Sequence, residues 1–140
     1  MHCKRRLSLL VMLALPIGWA AAQQAAAPEN PVRAGLGIMT RVVSESGTQI
    51  DSHRYEQLPR EAAEFERGLE QLTEGLTGAP PALRQSLGPL LAKARVASSA
   101  MAEAARSRNE AMIPVTHRQL AAAVKAIEEK LPPAERPGPS

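Results

Sequence analysis

The chain has 140 residues, with one cysteine, one tryptophan, one tyrosine and one phenylalanine, and a formal charge of +3. That charge resides wholly in Lys4, Arg5 and Arg6, because residues 1–22 hold no acid; without them the 17 basic residues fall to 14, matching the 14 acids. A neutral remainder that has lost Cys3 and Trp19 argues against a nucleic-acid partner drawn by charge, and it excludes a disulfide and a thiolate-bound metal or haem.

In chain order, the first segment reads as a processing signal. Lys4 to Arg6 form a basic region, Leu7 to Leu15 an apolar one, and Pro16 and Gly18 break it. Ala20 and Ala22 supply the small residues that a signal peptidase reads, so cleavage is expected after Ala22. The apolar run is short of the roughly 20 residues that span a bilayer. Ser8 stands where a twin-arginine signal wants an apolar residue, which favours Sec-type export. Cys3 precedes the apolar run, too early for acylation. The expectation is a periplasmic protein with no stable membrane insertion after cleavage. Residues 23–31 then read as a linker.

Residues 32–131 carry four apolar stripes. Val32, Leu36, Met39, Val43 and Ile50 mark the first, with Ser46 in the missing step. Leu58, Ala62, Phe65, Leu69, Leu72 and Leu76 mark the second. The third runs Leu83, Leu87, Leu90, Ala94, Ala97, Met101 and Ala104. The fourth leads from Ile113 through His117, Leu120, Val124 and Ile127 to Leu131. Alternating steps of three and four place each set on one face of an α-helix, and no run has the two-residue period of a strand. Short connections favour antiparallel neighbours, so the pattern predicts an all-α, up-down-up-down four-helix bundle. Pro59 fits the first turn of the second helix. Gly88-Pro89 predicts either a kink in the third or a separate turn over 81–87. Acids dominate the second helix and basic residues the third, which favours their lying side by side. Residues 132–140, rich in proline, read as a disordered tail.

Chemistry has few candidates. The chain lacks GxSxG, HExxH and a phosphate-binding glycine loop, and Ile50 and Pro114 stand where Glu-x-x-His would need glutamate before His53 and His117. No enzymatic activity is expected. Thr116 and Gln119 fit a capping box that would make His117 the first residue of its helix, where the dipole keeps imidazole neutral. A competing reading starts that helix at Pro114. An antiparallel bundle would bring His53 near His117, with Met112 and Met101 close by, as a soft metal site or as axial haem ligands. The alternative makes His117 a half-wet rim residue, His53 a loop residue and the methionines core filler.

An exported, Ala- and Leu-rich bundle of this size resembles the cytochrome c-prime and cytochrome b562 group over residues 32–131. The resemblance implies haem inside the bundle. Met39 matches the b562-like methionine near the start of the first helix. Glu128, Glu129 and Lys130 stand where the histidine of the last helix belongs. Val124, Ile127 and Glu128 occupy the likeliest C-x-x-C-H positions, so an implied haem is noncovalent. Met39 and His117 are expected at opposite ends of the bundle. The functional expectation is a non-enzymatic binding or interaction module for an unknown periplasmic protein or small ligand, with a homodimer as one possible assembly. A noncovalent haem or transition-metal carrier using His117 with His53 or Met39 is the alternative.

Overall fold

A computed structural model describes residues 30–136; the expected signal peptide and most of the expected linker lie outside them. The described chain forms four α-helices and no strand: α1 (Pro31–Asp51), α2 (Leu58–Gly75), α3 (Pro81–Arg106) and α4 (Met112–Lys130). They pack in a ring in which α1 touches α2 and α4, and α3 touches the same two. Leu36, Met39, Phe65, Leu72, Met101, Leu120 and Ile127 are withdrawn from solvent and fill its centre. None of the described helices is long and apolar enough to cross a membrane.

Local chemistry sets the helix ends. Asn30 caps α1, its side-chain oxygen accepting from the Val32 and Arg33 amides at 3.0 and 3.4 Å, and Pro31 follows where a missing N–H costs nothing. At the other end the Arg54 amide reaches back to the Gln49 carbonyl and the His53 amide to that of Ile50. This is a Schellman closure, with His53 at a φ of 57° where glycine is usual. α3 closes in the same way: Asn109 bonds to Ala104 and Arg108 to Ala105, with Arg108 at a φ of 55°. Pro59 lies in the first turn of α2, as the pattern predicts. α3 continues unbroken through Pro89, so 81–87 is its first two turns and not a separate element. The carbonyl of Gln85 forfeits one bond there, but that residue is exposed and water can supply the donor.

The α1/α2 seam is closed by glycines. A Cβ on Gly35 would stand 2.5 Å from the Gly68 carbonyl oxygen and 2.6 Å from the Leu72 amide. One on Gly68 would meet Ile38, and one on Gly75 would meet Val32 and Pro31. The two backbones therefore touch directly. Arg41 pairs with Glu64, and Gln49 with Glu61, farther along the same seam. Residue numbers rise along α1 as they fall along α2.

Charge contributes less than packing. Among the described residues one ion pair spans α2 and α3, Glu66 with Arg95 at 2.8 Å, and pairs this exposed bias an arrangement without holding it. The hydrogen bond from Arg41 holds the Glu64 carboxyl below its ordinary range. A lowered carboxyl stabilises the fold above the ordinary carboxylate range, and that contribution disappears as pH falls through the folded value. The difference in urea midpoint between the parent and Glu64→Gln is therefore expected to shrink from pH 7 towards pH 3.

The segment expected to be a disordered tail has structure at its beginning. Pro133–Glu135 form a 3-10 turn, Glu135 accepts a hydrogen bond from Asn30, and Arg33 donates to the Arg136 carbonyl at 3.1 Å. Arg136 in turn donates to the carbonyls of Leu131 and Glu129, satisfying the open end of α4. Residues 137–140 lie outside the described ones.

Candidate functional site

The helix of His117 starts two residues before the competing reading at Pro114, and not after a cap at Thr116. α4 begins at Met112, so Thr116 is not its cap; the Thr116 hydroxyl instead donates to the carbonyls of Met112 and Ile113, both at 2.9 Å. Extending the helix backwards buries Ile113 completely. Burying an isoleucine contributes about 1.5–3 kcal/mol, against about 1 kcal/mol for a threonine cap, so the longer helix wins. Pro114 occupies the third position, where its missing N–H has no intrahelical partner to lose. His117 thus lies in the second turn, beyond the reach of the terminal dipole.

The imidazole is used as a seam group between α4 and α1. Its Nε2 is 2.9 Å from the Val43 carbonyl oxygen, and because a carbonyl can only accept, Nε2 carries the proton. The ring lies over Gly47, where a Cβ would stand 3.4 Å from Cε1. Nδ1 is left without this carbonyl as a partner. Val43, expected in the core, is only partly buried because it faces this seam, and Val42 takes the core position.

The other predicted ligands are dispersed. His53 is exposed in the turn after α1 with its ring 5.7 Å from that of Tyr55, while His117 meets α1 at Val43 and Gly47, before the helix ends at Asp51. Met101 is buried, and Met112 is 41% exposed. Met39 precedes Val43 by one turn of α1, so Met39 and His117 are not at opposite ends as expected; Met39, however, is fully enclosed in the core. Among the described residues no three His, Cys, Asp or Glu side chains gather as a metal site. Neither surface cleft described below is lined by His117, His53 or Met39.

His53 has a backbone role that can be measured. A side chain in the left-handed region costs about 1–2 kcal/mol that glycine avoids. His53→Gly is expected to raise the unfolding free energy by roughly 1 kcal/mol in chemical denaturation, whereas removal of a bound structural metal would lower it.

Two features escaped the sequence reading. The first is a set of polar side chains with buried oxygens: Gln49 and Glu61, which meet across the α1/α2 seam, and Ser46, one turn before Gln49 on α1. Gln49 Nε2 donates to Glu61 Oε1 at 3.0 Å, while Ser46 Oγ, Gln49 Oε1 and Glu61 Oε2 are buried without a partner. Ser46 filling a step of an apolar stripe was a signal for it. So was Glu61, which stands three residues after Leu58 and four before Phe65, on the face assigned to Ala62. The second is a groove of about 790 Å³ between α3 and α4, lined chiefly by Pro89, Leu90, Ala92, Val96, Ala122 and Ala126. Val96 is 69% exposed there. A smaller cleft of about 390 Å³ lies between α2 and α3, beside Ser98, Arg95 and Arg106.

Over the described residues the chain is all-helical, with a four-helix, bundle-like fold. No protein-family model, curated protein or solved structure matches it.

Proposed function

We propose that this chain is an exported periplasmic protein that works as a non-enzymatic binding module on an antiparallel, up-down-up-down four-helix bundle. The α3/α4 groove carries that reading. Two seams are closed, by glycines between α1 and α2 and by the His117 bond between α4 and α1, and the cleft between α2 and α3 has about half the volume of this groove. Between α3 and α4, small side chains leave an apolar trough with Val96 standing in it. Such a surface suits an apolar segment of a protein or the apolar part of a small ligand. A photo-cross-linking residue at position 96, expressed with the native leader, is expected to give a discrete adduct in the periplasm that the same residue at exposed Thr48 does not give. Equal patterns from both positions would count against the groove. Mature periplasmic protein retaining Met1 would refute cleavage.

The resemblance to cytochrome b562-like proteins supports a second reading, a noncovalent haem or transition-metal carrier. Its supporting observation is that the Val43 carbonyl engages Nε2 of His117, so Nδ1 is the ring nitrogen left to meet a metal. A Soret band or stoichiometric metal in purified protein, lost in His117→Ala, is its expected signature. A colourless protein that neither haem nor metal titration can load would end it.

A further inference from the structure

We propose that the α1/α2 seam holds one small, singly charged, oxygen-seeking cation between Glu61, Gln49 and Ser46. Among the described residues, all the buried side-chain oxygens without a partner come from these three side chains. Gln49 and Glu61 are in direct hydrogen-bond contact across the seam, and Ser46 lies one turn before Gln49 on the same face of α1. Ser46 is wholly enclosed and Glu61 is 8% exposed. A concentration of unsatisfied buried oxygens in a folded protein indicates an additional bound species.

Charge decides which species. None of the ion pairs among the described residues includes Glu61, so no described Lys, Arg or His nitrogen lies within 4.0 Å of its carboxylate oxygens. A water molecule could bond to the free oxygens but would leave that charge uncompensated, which a protein interior tolerates poorly. The donors are all oxygen, which selects a hard cation and not a thiophilic or imidazole-seeking one. With one carboxylate present, a single positive charge neutralises the site.

The inference is independent of the binding groove and of export. Its test is the thermal unfolding of the chain in choline chloride and in lithium, sodium and potassium chlorides at equal ionic strength. One alkali cation is expected to raise Tm relative to choline, because it binds the folded state only. Glu61→Gln is expected to remain folded, since its amide can donate to the Gln49 oxygen, and to lose the ion dependence. Ser46→Ala is expected to require a higher concentration of the same ion. Equal Tm in all four salts, or an ion dependence that survives Glu61→Gln, would overturn the proposal.

Discussion

Gly35→Ala is expected to destabilise the protein by about 1–3 kcal/mol, the usual cost of forcing extra atoms into a packed interface. Gly37→Ala, two residues along the same helix, is expected to stabilise it by up to about 1 kcal/mol. Both substitutions gain the same intrinsic helix propensity. They differ in what the new methyl meets: at Gly37 there is no atom within 4 Å, whereas at Gly35 it would strike the Gly68 carbonyl and the Leu72 amide. Those obstacles are backbone atoms, so no side chain can rotate away, and α2 must move as a unit. Denaturant unfolding of the two variants beside the parent measures the contrast directly. Two stabilised variants would mean that the α1/α2 backbones are not in contact in solution.

Met39→Ala is expected to cost about 2–5 kcal/mol, and Met39→Leu less than about 1.5 kcal/mol. Met39 is fully enclosed in the bundle core, so truncation leaves a cavity, while leucine nearly conserves volume. The pair also separates two roles for the sulfur. If Met39 serves only as packing, Met39→Leu leaves absorption and metal content unchanged along with stability. If it ligates haem, the same variant keeps the fold but shifts the spectrum of loaded protein. Equilibrium unfolding and an absorption spectrum of both variants therefore test the core assignment and the carrier reading together.

The two predictions rest on residues that a sequence reader ranks very differently. Met39 fell on an apolar stripe and was placed in the core by spacing alone. Gly35 fell on a helical pattern too, but a glycine inside such a pattern says only that a side chain is missing. Which neighbour comes close enough to require that absence depends on how α1 crosses α2, and no local pattern encodes the crossing.

His117 shows the same division. Its place on the stripe was legible, and the stripe did face the other helices. The start of its helix was misread because a cap is a local signal and the burial of Ile113 is not. Competition between them was decided by the core, which only exists once the helices are assembled. Likewise Ser46 and Glu61 carried a visible hint, a polar residue at an apolar step. That both are buried, and that Glu61 meets Gln49 across the α1/α2 seam, required the packed structure.

What the sequence determined by itself was the all-helical class, the four segments and most of the residues that line the core, because the period of the apolar pattern is a property of each helix alone. The tertiary structure decided which faces approach closely enough to need glycine, where His117 finds its carbonyl, which side-chain oxygens are left without partners, and which seam remains open as a groove. Those are properties of pairs of helices, and they arise only when packing fixes one surface against another.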